Sequence, residues 1–141
     1  MAALSANSEM LHRDSGQILS GGVVASDIIY RMALLKYTAA GDVAPCAAES
    51  GAVFAGVATE YKDNSAGAAG AVEVQFYTRG VFQMSFAQTL TKANLGDKVY
   101  ASTDADVSTT QGTNEQFVGR IVGPFVSANL AWVDIAVACA N

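Results

Sequence analysis

Apolar and polar residues alternate with period two along several short stretches of this chain. Val72, Val74 and Phe76 face one way while Glu73, Gln75 and Tyr77 face the other. Phe82, Met84 and Phe86 alternate with Gln83 and Ser85, and Val133, Ile135 and Val137 alternate with Trp132, Asp134 and Ala136. Successive side chains leave a strand on opposite faces, so this pattern predicts antiparallel strands with one face on a core. Turn signals separate the stretches: Asp63-Asn64-Ser65, Gly67 to Gly70, Arg79-Gly80, Asn94-Leu95-Gly96-Asp97 and Gly112-Thr113-Asn114. Many short strands with regularly spaced turns predict an all-β fold, a small antiparallel β-barrel or sandwich.

Other stretches are less plain. Ile28 to Tyr37 reads two ways, because Met32, Ala33, Leu34, Leu35 and Lys36 are good helix formers and Ser26 or Asp27 suits a helix cap. Strand is the preferred reading, since Gly41-Asp42 follows closely and Val43 restarts an apolar run. Pro45 and Pro124 suit strand ends or edges, and Thr89 to Asn94 is the one plausible helical turn of the second half. Residues 1–22 are read as an extended N-terminal arm with Gly21-Gly22 as its hinge, and residues 23–141 as a single β domain. A faint internal echo runs through that domain. Gly41-Asp42 leads to Phe54-Ala55-Gly56-Val57, and Gly96-Asp97 leads to Phe117-Val118-Gly119-Arg120. Glycine within a strand marks a bulge or a sharp bend.

Composition narrows the functional classes. A chain of 141 residues fits one domain and buries roughly 68–70% of its unfolded surface. Charged residues are 15% of the total, against about 25% on average. That scarcity reflects either an alanine-rich sequence or a surface partly covered by other subunits. Net charge is −5 and the eight Lys and Arg stand singly, so no basic run exists to neutralise a phosphate backbone and nucleic-acid binding is not expected. No apolar run is long enough to span a membrane. Glu9 and Asp14 interrupt the N-terminus, and no secretory leader is expected. Cys46 and Cys139 match no metal-ligand spacing and read as free thiols of a protein made in a reducing cytoplasm.

Candidate chemistry is sparse. The single histidine, His12, lies in the arm, where no nucleophile can be held rigidly beside it. Glu49, Glu60, Asp63, Asp97, Asp104, Asp106 and Asp134 fall at turns or on outward faces and read as solvated charges. Asp104-Ala105-Asp106 has the spacing of alternate calcium ligands but lacks the remaining oxygen donors and the distal Glu, so a tight turn is the better reading. No phosphate-binding Gly-Lys loop is present. No cofactor or metal is expected. Tyr77 and Trp132 fall on the polar faces of their strands, where an exposed aromatic suits an interface anchor, although plugging of the barrel ends explains them equally well. Tyr61 and Tyr100 are further aromatic candidates for a partner- or sugar-binding face.

Five segments appear in a suggestive order: Gly51-Ala52-Val53-Phe54-Ala55-Gly56-Val57-Ala58; Glu73-Val74-Gln75-Phe76 running into Arg79-Gly80-Val81-Phe82; Leu95-Gly96-Asp97-Lys98-Val99-Tyr100; Phe117-Val118-Gly119-Arg120-Ile121-Val122; and Trp132-Val133-Asp134-Ile135. As an ordered set they resemble the capsid decoration, or cement, proteins of tailed bacteriophages. The resemblance implies a β-barrel-like domain on the outer surface of the virion, synthesised in the host cytoplasm. It also implies a small oligomer, most simply a homotrimer, that bridges major capsid protein subunits, and it carries no catalytic residues.

The expected function is therefore non-enzymatic stabilisation of a phage head. Ser5, Asn7, Glu9, His12 and Arg13 of the arm, with Tyr77 and Trp132 of the β domain, are the candidate contacts to capsid or to a neighbouring copy. The alternative is a β-module of a phage tail or fibre that binds carbohydrate or a partner protein. A small β-fold enzyme using carboxylates at subunit boundaries is the remote third class.

Overall fold

The computed structural model describes residues 3–7 and 17–136. Twelve strands account for its regular structure: β1 (Ile18–Gly22), β2 (Asp27–Ile29), β3 (Leu34–Tyr37), β4 (Val43–Pro45), β5 (Val53–Ala58), β6 (Lys62–Asn64), β7 (Glu73–Tyr77), β8 (Val81–Phe86), β9 (Lys98–Ala101), β10 (Asp106–Ser108), β11 (Gln116–Ser127) and β12 (Leu130–Asp134). The ambiguous stretch after Ile28 is strand, in two pieces. The helical turn before Gly96 is a single 3-10 turn, Lys92–Asn94, capped by Thr91, whose hydroxyl accepts from the Ala93 N–H. The fold is all-β, as the alternation predicts: Val74, Phe76, Phe82, Met84, Phe86 and Val133 are buried.

The strands form a five-stranded sheet in the order β1-β7-β5-β3-β4, a closed five-stranded barrel β10-β8-β12-β11-β9, and a ribbon of β2 and β6. Every pairing is antiparallel except β8 with β10. The two larger units are the same structure twice. If β1, β3, β4, β5 and β7 are exchanged for β8, β9, β10, β11 and β12, the strand order of one becomes that of the other.

The correspondence holds residue by residue. Leu35 faces Gly56 and Lys36 faces Phe54, so Ala55 bulges from β5; Val99 faces Gly119 and Tyr100 faces Phe117, so Val118 bulges from β11. Val57 pairs with Tyr77, and Arg120 with Asp134. Backbone bonds at the strand ends repeat too: Thr78 N–H to Gln17 O (2.8 Å) and Ile135 N–H to Gly80 O (3.1 Å); Met32 N–H to Ala58 O (2.9 Å) and Gly96 N–H to Ile121 O (2.8 Å). The seam of the second barrel is the parallel β8–β10 pair. At the matching place the first sheet closes through a parallel bridge between Val23 and Val43. The chain is thus a tandem pair of small barrels.

Only part of the echo noted in the sequence survives. The Phe-x-Gly segments superpose, and their glycines are required for one shared reason. A Cβ on Gly56 would overlap the carbonyl oxygen of Tyr77, and one on Gly119 would overlap that of Asp134. The two Gly-Asp pairs do not correspond. Gly41-Asp42 lies in the β3–β4 turn, which matches the β9–β10 turn that holds Asp104 and Ala105 and leads into Asp106: Thr38 N–H bonds Asp42 O at 2.8 Å and Ser102 N–H bonds Asp106 O at 3.0 Å.

The interior of the first barrel is Val23, Leu35, Val43, Ala55, Ala58, Val74 and Phe76. A larger cluster fills the second barrel with Phe82, Met84, Phe86, Val99, Val107, Val118, Ile121 and Val133, and takes in Met32, Leu34, Cys46, Phe54 and Val57 from the outside of the first. β3 and β5 are therefore buried on both faces. That explains the unbroken apolar character of their sequences.

The strand β1 revises the reading of the arm. Ile18 to Gly22 pair with Tyr77 to Glu73, so the last residues of the presumed arm belong to a sheet. Gly21 and Gly22 are not a hinge: a Cβ on Gly21 would meet the Val43 side chain at 2.6 Å, and one on Gly22 the Gly70 backbone at 3.0 Å. Small residues are needed there because another chain segment passes close by.

Candidate interaction surfaces

The described part of the arm, residues 3–7, lies against the body. The Leu4 N–H donates to Asp104 Oδ1 at 2.8 Å, and its side chain packs on the interior cluster of the first barrel. Asn7 Oδ1 accepts from the Arg31 N–H at 3.1 Å. Ser5 is exposed. Glu9, His12 and Arg13 lie outside the described residues, as does Cys139. Ala3 and Leu4 border a cleft of about 430 Å³ whose other walls include Asp27, Tyr30, Pro45, Cys46 and Asp104.

Asp104 corrects the expectation that every carboxylate is a solvated charge, because it is only 2% exposed. Burial raises its carboxyl above the ordinary value, and the Leu4 hydrogen bond opposes that shift. Glu49 also has defined partners. It accepts from the Ala39 N–H at 2.8 Å and pairs with the buried Lys36 ammonium at 3.0 Å; both lower its carboxyl, the backbone bond more. Lys36 also donates to Ala47 O at 3.1 Å, and Gln116 Nε2 of the second barrel donates to the same carbonyl at 3.1 Å. With Glu49 N–H bonding Asn114 O at 3.0 Å and Leu34 N–H bonding Asp104 O at 2.9 Å, these groups tie the barrels together. Their clustering had no signal in the sequence, because the partners are far apart along it.

The two aromatic candidates sit in different surroundings. Tyr77 is half-buried, its ring 5.6 Å from that of Phe82, and it packs against the large core cluster at the junction of the barrels. Its place on the polar face of β7 is thus the side that meets the second barrel. Trp132 is half-buried on the outside of that barrel, paired with Val122 of β11 and Gln83 of β8. Tyr61 is exposed beside Tyr30, with centroids 5.8 Å apart. The Tyr100 ring lies tilted beside that of Phe117, with centroids 5.9 Å apart, on the outer face of β9 and β11.

Asp104 and Ala105 lie in the bend between β9 and β10 and Asp106 opens β10, and among the described residues no three His, Cys, Asp or Glu side chains gather to hold a metal ion. Cys46 is a free, buried thiol, and burial pushes its pKa up, opposite to what a nucleophile needs. No helix among the described residues is long and apolar enough to cross a membrane.

The fold thus defines a tandem-barrel, all-β protein. No protein-family model matches the chain, and no curated protein matches it. Among solved structures it is similar to the N base of the head fiber gp8.5 of bacteriophage phi29, with a TM-score of 0.50 and 16% identity. The match covers 86% of this chain and 97% of that one, so it extends over both barrels. At this identity the likeness is one of fold.

Proposed function

We propose that this chain is a non-enzymatic structural protein of a tailed-phage virion. In this reading it binds the outer surface of the head and stabilises it by bridging major capsid protein subunits. The observation that supports this reading best is the likeness of the tandem-barrel fold, over 86% of the chain, to a phage head-fiber base, together with the ordered set of segments that resembles decoration proteins. The surfaces add a physical argument. Contacts tethered on one rigid body act at high effective concentration, so weak individual contacts suffice. A ligand that binds only the assembled lattice stabilises it by about 2.7 kcal/mol at a concentration one hundred times its Kd.

A second reading, a base module that anchors a fibre, is favoured by the same likeness, since the similar protein is itself a fibre base. Both readings put the protein on the particle. Mass spectrometry of purified virions, followed by co-sedimentation of the purified protein with heads, tests them together. Stoichiometric presence and saturable binding are expected; a protein abundant in lysate but missing from finished particles would end the proposal. The arm's share is tested by removing residues 1–16, which spares Gln17 and the strand that follows. Reduced occupancy of heads, beyond what any change in folding stability accounts for, is expected if Glu9, His12 and Arg13 touch capsid.

A further inference from the structure

The duplication allows each exposed residue of one barrel to be compared with its counterpart in the other. Phe82 of the second barrel pairs with Val133, as Leu19 of the first pairs with Phe76. Phe82 is fully buried beside Tyr77, yet Leu19 is 44% exposed. Gln116 pairs with Ala101, as Val53 pairs with Tyr37. Gln116 is 3% exposed and bonds Ala47 of the first barrel, whereas Val53 is 59% exposed. So two large apolar side chains of the first barrel stand open at the positions that the second barrel uses at its junction with the first.

The opposite side shows the complementary situation. At the junction the first barrel presents Leu34, Lys36, Phe54 and Val57, all buried. Their counterparts by register are Lys98, Tyr100, Phe117 and Arg120. Lys98 and Arg120 are exposed and Tyr100 and Phe117 half-exposed. Aromatic residues and Arg are the types enriched at interface cores. The receiving side carries Asp42 in the turn that matches the one holding Asp104, whose carbonyl takes the Leu34 N–H within the chain. An acidic turn thus lies where the Lys98–Arg120 face of another copy would arrive.

We infer that this chain associates head to tail with a second copy of itself. The Leu19–Val53 side of one first barrel docks on the Lys98–Tyr100–Phe117–Arg120 face of another copy's second barrel, repeating between copies the junction already present within each. Such a contact is heterologous: it uses two different patches, leaves one of each unsatisfied in any dimer, and completes itself by closing a ring. The junction between copies is more polar than the internal one, which suits a contact formed after folding. The inference does not depend on the virion reading, because it concerns the free protein.

Light scattering on the purified protein without heads tests it, with the variants Val53→Lys, Leu19→Lys and the double variant Tyr100→Ala/Arg120→Ala. The wild type is expected as a closed multimer. Each variant is expected to fall to the mass of one chain while keeping the wild-type circular dichroism. Mixing Val53→Lys with the double variant in equal amounts leaves one intact contact per pair, so the mixture is expected to form dimers and nothing larger. A monomeric wild type at every concentration would overturn the inference. So would wild-type mass in both lysine variants, or a mixture that stays monomeric, which would point to two like patches meeting.

Discussion

Replacing Gly119 by alanine tests the tandem-barrel geometry at its tightest point. A methyl group at this position overlaps the Asp134 carbonyl oxygen and also meets the Asp134 carbonyl carbon at 2.9 Å and Ile135 Cα at 3.2 Å. All three are backbone atoms at the end of β12 and the residue after it, so no side chain can swing aside. The cost is steric, since Gly119 has none of the left-handed backbone angles found at Gly41 or Gly96. In an ordinary strand the change from Gly to Ala stabilises by roughly 0.5–1 kcal/mol. Here, overpacking against fixed neighbours costs typically 1–3 kcal/mol, and the Arg120–Asp134 pairing next to it is strained as well. A net loss of about 2 kcal/mol is expected, which for a domain of this length lowers Tm by roughly 4–8 °C. Gly56→Ala should behave alike, because its Cβ meets the Tyr77 carbonyl in the same way. Gly112→Ala is the control: the three atoms nearest its added methyl belong to the flexible Glu115 carboxylate, and a change within about 0.5 kcal/mol is expected. Urea unfolding followed by circular dichroism measures all three. If Gly119→Ala matched the wild type or exceeded it, the close backbone crossing would be wrong, and with it the equivalence of the two Phe-x-Gly bulges.

Phe82→Ala should cost about 3–5 kcal/mol, because the ring is fully buried at the junction. Leu19→Ala, at the matching place in the first barrel, should cost under about 0.5 kcal/mol in monomeric protein; equal losses in urea titrations would contradict the exposure difference. Asp104 carries a raised carboxyl pKa. Its contribution to folding is therefore fully present below the unfolded value of about 3.9 and is lost as pH rises through the folded value. Asp104→Asn keeps an acceptor for the Leu4 N–H and removes the titration, so the variant should gain stability relative to wild type as pH climbs from acid towards neutral. Parallel pH profiles of the urea midpoint would refute that account. In a Cys139→Ser background, Cys46 should resist a thiol reagent in native buffer and react at once in denaturant; rapid native labelling would show that its burial is wrong.

The legible part of this protein was the part written locally. The strands at Glu73–Tyr77, Val81–Phe86 and Leu130–Asp134 follow from alternation over a few residues, because side-chain direction in a strand depends only on the neighbouring backbone. The Phe-x-Gly echo was legible because a close backbone approach admits glycine alone at both places. The rest of the repeat was not. Glu73–Tyr77 and Leu130–Asp134 hold equivalent places yet share no residue in register, since a barrel position demands burial and size, which many residue types supply. The Gly-Asp pairs misled for the converse reason: turns reuse the same residues wherever they occur.

The amino-acid sequence alone determined that this chain is all-β and where most of its strands run. The tertiary structure alone decided that Asp104 is enclosed and that Tyr77 meets the second barrel, that residues 18–22 join a sheet, and that Leu19 and Val53 stand open while Phe82 and Gln116 do not. Pattern along the chain reports which face of a strand avoids water. Only the pairing of distant strands, and the docking of one barrel on the other, says what covers that face.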